Sequence, residues 1–149
     1  MSTSLYEQDF YTWTNEQAAL LRAGHLSAAD IEHIAEEIES LGRSELRAME
    51  SALVRIIEHL LKLQYSPATN PRTGWEESAD LHRDDLHRLK RDNPGLIQRI
   101  DLPGVYSTAR RIAGKSLEIH DGLKRSLIPT TCPFSLEQIE TDEWYPTQI

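Results

Sequence analysis

The sequence predicts an all-α protein, an irregular bundle of four principal helices with shorter segments and a C-terminal tail, and three observations carry that expectation. Apolar residues recur at helical spacing along most of the 149 residues. Alternating β-branched runs are missing, and valine occurs only at Val54 and Val105. Helix start and stop residues punctuate the chain at intervals suited to helices. The length suits one domain, 1–149, large enough to bury a core without disulfide or metal support.

Each element follows from local signals. Phe10, Trp13, Ala18, Leu20 and Leu21 give a first helix from about Asp9 to Gly24, a natural left-handed stop; Thr14 and Gln17 have capping-box spacing within it. Ser27 offers the next N-cap, and Ile31, Ile34, Ile38 and Leu41 form an apolar stripe expected to face the core. Gly42 is read as an end or bend, with Ser44 capping a restart. From Leu46 to Leu63 the apolar positions sweep about 180° of an ideal helix, the mark of a central helix.

Pro67, Asn70 and Pro71 define a loop, after which Thr73 and Glu76 open a helix to about Arg91. Asn93–Pro94 reads as an N-cap followed by proline at the first helical position, and Pro103–Gly104 as an interruption, giving segments 94–102 and 104–120. Pro129 and Pro133 close the helical region. Ser135 and Gln138 form a last capping box, before a tail carrying Trp144 and Tyr145 that is expected to pack on the bundle or on a second subunit.

Charge narrows the function classes. The net charge is −8, with −7 in residues 1–60, +3 in residues 61–128 and −4 in residues 129–149. An acidic chain without a strongly basic face is not expected to bind nucleic acid. No apolar run reaches the roughly 18 residues of a membrane span. The first ten residues lack the basic start and apolar stretch of a secretory signal, and the lone Cys132 excludes an internal disulfide, so a reduced, cytoplasmic setting is expected.

Chemistry-bearing motifs are few. Carboxylate-x-x-His spacing occurs at Asp30–His33 and Asp84–His87, but helical projection turns His33 about 120° away from the adjacent apolar stripe and His87 similarly far from its own. Both pairs are therefore expected to face water, and no metal or cofactor is expected. Arg55–His59 and Arg83–His87 share helix faces at i,i+4, as ordinary neighbours do. Glycine-rich phosphate loops and nucleophile elbows are missing from the sequence.

More specific to this chain, polar residues fall on apolar faces: Gln17, Glu50, His82 and Arg110, with the Tyr106 hydroxyl beside them. A buried lone charge is costly, so Glu50 and Arg110 are expected to pair inside the bundle, braced by His82, Gln17 or Tyr106. This cluster is read either as a structural network or as a pocket in which Glu50 or His82 acts as acid or base and Arg110 as anion clamp.

Several strings carry a resemblance to a known family: Tyr6-Glu7-Gln8-Asp9-Phe10-Tyr11-Thr12-Trp13, Glu36-Glu37-Ile38-Glu39-Ser40-Leu41-Gly42-Arg43-Ser44-Glu45, His59-Leu60-Leu61-Lys62 and Thr131-Cys132-Pro133-Phe134. The chain resembles, from about Tyr6 to Pro146, the bacterial family catalogued as domain of unknown function twenty-nine. One departure is Leu117-Glu118-Ile119-His120-Asp121-Gly122-Leu123, where members commonly carry a Glu-Thr-Gly-Leu run. The resemblance implies an all-helical fold and brings no activity, substrate or catalytic residue. A non-catalytic protein-interaction or regulatory module is the favoured expectation, with an unidentified protein partner and a homo-oligomer as a further arrangement; the alternative is a metal-dependent or nucleolytic enzyme built on Glu50, His82 and Arg110.

Overall fold

The computed structural model describes residues 4–149, and among them there is no strand. Six α-helices are formed: α1 Leu5–Gln8, α2 Phe10–Arg22, α3 Ile31–Tyr65, α4 Arg72–Asp92, α5 Leu102–Asp121 and α6 Leu136–Glu140. The chain divides into two compact units, Met1–Ser44 and Glu45–Ile149. Helix α3 supplies residues to both.

In the first unit Asp9 starts α2, as expected: its carboxylate accepts from the Thr12 backbone N–H at 3.1 Å. Gly24, at φ +75°, follows the end of the helix as expected. A 3₁₀ turn, Leu26–Ala28, occupies the position read as an N-cap at Ser27. Asp30 caps α3 instead, its carboxylate accepting from the His33 N–H at 3.4 Å and its carbonyl from the Ile34 N–H at 3.0 Å.

Helix α3 runs 35 residues without ending at Gly42, which corrects the expected break. Glycine in a helix interior costs about 1 kcal/mol relative to alanine, too little to stop a helix otherwise rich in Glu, Leu, Arg and Ala.

The core lies in the second unit. Met49, Leu53, Ile56, Ile57, Leu60, Leu61 and Leu63 of α3 are buried there, the broad apolar surface read from the sequence. Leu86 and Leu89 of α4 and Val105, Tyr106, Ala109, Ala113 and Leu117 of α5 pack against them. Arg72 completes the C-terminus of α3 by donating to the carbonyls of Leu63 and Ser66. Ser66 is itself buried, donating to Asp121 Oδ2 at 2.8 Å.

Helix α4 begins after Pro71 with no side-chain cap, so the Thr73–Glu76 box is not used. Asn93 caps the end of α4 rather than the start of a new helix, its side chain donating to the Leu89 carbonyl at 3.2 Å. Only a 3₁₀ turn, Leu96–Arg99, forms within the segment expected to be helical over 94–102. Pro103 lies in the first turn of α5, where a missing N–H is harmless, and Asp101 caps that turn through the Gly104 N–H at 3.2 Å. Gly122 ends α5 in the left-handed region at φ 66°.

The tail packs on its own chain. Ser135 and Gln138 form both halves of the expected capping box at α6. Ile128, Phe134 and Ile139 join the core, with Trp144 and Tyr145 half-buried against it. Arg83 of α4 is fully buried beneath this tail: it donates from Nε to the Ile139 carbonyl at 2.8 Å, from Nη2 to the Gln138 carbonyl at 3.0 Å and from Nη1 to Asp80 at 3.0 Å. Asp80 also accepts from the Tyr145 hydroxyl and, at 3.1 Å, from the Glu143 N–H.

Candidate functional site

The residues expected to form one interior cluster are dispersed. Gln17 belongs to the first unit, where its Oε1 accepts from the Asp30 N–H at 2.7 Å. In the second unit Arg110 donates from Nε to the carbonyls of Ile128 and Pro129, both at 3.1 Å, and from Nη2 to those of Arg125 and Ile128. Tyr106 donates to the same Pro129 carbonyl. Both side chains thus hold the 125–129 segment against α5. The expected Glu50–Arg110 ion pair does not form. Four carbonyl contacts satisfy the guanidinium, and no carboxylate is needed to make its half-burial affordable.

Glu50 instead lines an open cleft of about 590 Å³ beside Arg47, Arg55 and Asp101, with no polar partner among the described residues. His82 is half-buried, its ring 6.5 Å from that of His59 and nearly parallel to it. The buried cation that sequence reading missed is Arg83, four residues after Ala79 and three before Leu86, both fully buried. That spacing was the available signal.

Between α3 and α4 lies the nearest approach to a nucleophile–base pair: Ser78 Oγ and His59 Nε2 at 2.8 Å. Burial drives His59 down to about 4, so the ring is neutral at pH 7. The remaining member of a triad is not supplied. His59 Nδ1 is buried with no hydrogen-bond partner among the described residues, and the adjacent Glu58 spends its oxygens on Arg55 at 2.9 Å and Lys62 at 3.2 Å. No carboxylate or carbonyl among the described residues holds Nδ1, the contact by which a triad orients its general base. Burial also raises the Cys132 thiol, the reverse of an activated nucleophile.

The first unit shows a different and unexpected arrangement. Residues 30, 33, 34, 37 and 40 of α3 and its cap are partly buried, a helical period. Three of them make polar or aromatic contacts with α1 and α2. Trp13 Nε1 donates to Asp30 at 3.2 Å, Tyr6 donates to Glu37, and the Tyr6 and His33 rings stack with centroids 4.0 Å apart. Asp30 and His33 Nδ1 lie 2.7 Å apart; that bond raises the His33 pKa and lowers the Asp30 pKa. This pair was expected in water and is turned half inward.

The apolar stripe was expected inside and is turned out. Ile31 is 52% exposed, Ile38 64% and Leu41 69%, with Ile34 half-buried at the margin. The stripe sits about 100° around α3 from the polar face that packs, so one helix cannot direct both inward. Trp13, Gln17 and Tyr6 provide partners for the polar face, which decides the rotation. Ile31, Ile34, Ile38 and Leu41 follow a and d heptad spacing. Ala35 and Gly42 at the neighbouring e positions leave that flank open, and a Cβ added at Gly42 would meet nothing within 4 Å. Glu32, Glu36 and Glu39 are exposed around it.

No helix among the described residues is long and apolar enough to cross a membrane. No curated protein and no solved structure shows significant similarity to the chain. The family described as Domain of unknown function DUF29 matches residues 5–145, nearly the full length and including every string singled out in the sequence. The chain belongs to the DUF29 family.

Proposed function

We propose that the protein is a non-catalytic interaction module of the bacterial cytoplasm, and that its N-terminal unit docks an amphipathic helix of a partner protein along Ile31, Ile34, Ile38 and Leu41. The observation that carries this reading is the inverted amphipathicity of α3 in that unit: the aromatic and polar side is packed while large aliphatic side chains stand exposed at heptad spacing. A seam of this kind is a helix-pairing surface.

Charge identifies the partner's chemistry. Residues 1–44 hold eight acidic and two basic side chains, a balance of −6. Glu32, Glu36 and Glu39 stand exposed beside the seam against one basic side chain, Arg43, 3.8 Å from Glu39, so the balance there is anionic. A second copy would bring −6 against −6, which favours a basic amphipathic helix instead. The lone Cys132 supports a reducing compartment. An enzyme is the weaker reading, since Arg110 and Tyr106 hold backbone carbonyls and neither they nor His82 joins Glu50 in its cleft.

A designed three-heptad peptide with Leu at a and d and Lys at e and g tests the reading by calorimetry. It should bind one-to-one, more weakly as salt rises, and lose binding to the Ile38→Asp/Leu41→Asp protein, whose helicity should be unchanged because both positions are exposed. Equal binding of a Glu-flanked peptide, no binding, or a wild-type dimer abolished by the same substitutions would each overturn it.

A further inference from the structure

Asp84 and His87 lie three residues apart on α4, and the chain following α6 brings Asp142 to them. One ligand atom from each of these three residues lies within 4.8 Å of the other two. The tautomer of His87 is set from outside the cluster: Nε2 is 2.8 Å from the Glu140 carbonyl oxygen, which can only accept, so Nε2 carries the proton. In the neutral ring Nδ1 is then a bare acceptor, facing Asp142 Oδ2 at 3.8 Å. With the ring neutral, three acceptors converge without a donor among them. A backbone carbonyl holding the far nitrogen is also the arrangement that orients metal-ligating histidines.

Neighbouring carboxylates do not share this condition. Asp80 is paired with Arg83, Asp85 with Arg88 and Glu140 with Lys90, whereas Asp84 and Asp142 have no Lys or Arg partner among the described residues. The basic side chains nearby are therefore committed elsewhere. The position between Asp84, His87 and Asp142 is left for a cation from solution.

We propose that Asp84, His87 and Asp142 bind a divalent transition-metal ion, zinc in the first instance, and that the ion ties the tail to α4. One imidazole nitrogen with two carboxylate oxygens suits zinc and its neighbours in the series and disfavours calcium and magnesium, which take oxygen ligands alone. Bonds of about 2.0–2.2 Å place adjacent ligands of a tetrahedral zinc roughly 3.3 Å apart, so the outward-lying carboxylates need only small rotations to close on the ion. Water completes the shell on the exposed side. The tail docks through Arg83 and Tyr145 without the ion, which adds a second, releasable tie.

Titration of the full-length protein with zinc and with cobalt(II) tests the site. One ion should bind per chain. Asp84→Asn and Asp142→Asn should each weaken binding at least tenfold, and zinc should raise the melting temperature of the wild type but not of Asp142→Asn. Asp142 is exposed, and among the described residues His87, at 3.8 Å, is the only basic side chain near its carboxylate, so this variant keeps its fold. Cobalt(II) should shift the ring protons of His87 in the proton spectrum. Cys132→Ser should bind as the wild type does. Undiminished binding by Asp142→Asn, loss of binding in Cys132→Ser, or no uptake by the wild type at millimolar zinc would overturn the proposal.

Discussion

Replacing Arg83 by alanine removes the group on which the tail rests, and the structure sets the size of the effect. The side chain has no solvent exposure and makes three hydrogen bonds, two of them to the backbone carbonyls of α6 residues Gln138 and Ile139. Each carbonyl left buried without a donor costs about 1–3 kcal/mol. Asp80 is 28% exposed and keeps two other donors, the Tyr145 hydroxyl and the Glu143 N–H, so its share of the loss is the smallest. Cavity formation around the lost aliphatic stem adds to the total, while release of a desolvated guanidinium subtracts from it. The expected cost of Arg83→Ala is about 3–5 kcal/mol. For a chain of this length that corresponds to a melting temperature lower by roughly 6–20 °C. Urea unfolding followed by far-UV circular dichroism measures the total, and amide exchange at Ile139 to Trp144 locates it. Arg83→Met restores much of the volume and should recover part of the loss without restoring protection at Ile139. A cost under about 1 kcal/mol, or tail amides as protected as in the wild type, would refute the argument that the tail depends on this guanidinium.

Gly42→Ala should stabilise the protein by about 0.5–1 kcal/mol in thermal or urea unfolding, because the position is helical, exposed and open to a Cβ; destabilisation would show that α3 bends there in solution. Acidification should lower stability through His59: its folded pKa is about 4 against an ordinary 6.5, so the unfolded chain takes up the proton first and the contribution is lost between about pH 6.5 and 4. His59→Asn should flatten the stability profile in that window, and a difference confined to alkaline pH would contradict the assignment. His33 acts in the opposite sense, since its pKa is raised by Asp30: its contribution is present below 6.5 and lost as pH rises through the folded value.

Helix content and most helix ends were legible in the sequence because they depend on neighbours in the chain. Ser135 with Gln138, Gly24 and the broad apolar surface of residues 46–63 act through contacts a few residues away or through burial on every side. Misreadings arose where the partner is distant. Projection identifies which residues of α3 share a face, but not which face finds Trp13 and Tyr6, so Ile31, Ile38 and Leu41 were placed inside and Asp30 and His33 outside. The same limit separated Glu50 from Arg110. Carbonyls of residues 125–129 satisfy the guanidinium, and backbone acceptors leave no mark in a side-chain pattern. Asn93 was assigned to the wrong helix because an asparagine before proline can cap either neighbour, and the Leu89 carbonyl claims it.

The Arg72 contacts with Leu63 and Ser66 bear on the order in which the chain assembles. The last carbonyls of α3 find a donor only six to nine residues downstream. Closing a loop of about ten residues takes roughly 10–100 ns, long before distant segments meet. The turn between α3 and α4 can therefore form while the chain is still open, bringing the end of one helix to the start of the next. The tail comes at the opposite end of the timescale: the Tyr145–Asp80 bond spans 65 residues, and the Ile149 amide reaches the Gln64 carbonyl across a still longer loop. Contacts of that separation carry the largest closure entropy and form last. Assembly of the second unit is therefore expected to begin at an arginine that ends one helix as it starts the next, and to finish with the segment that covers Arg83.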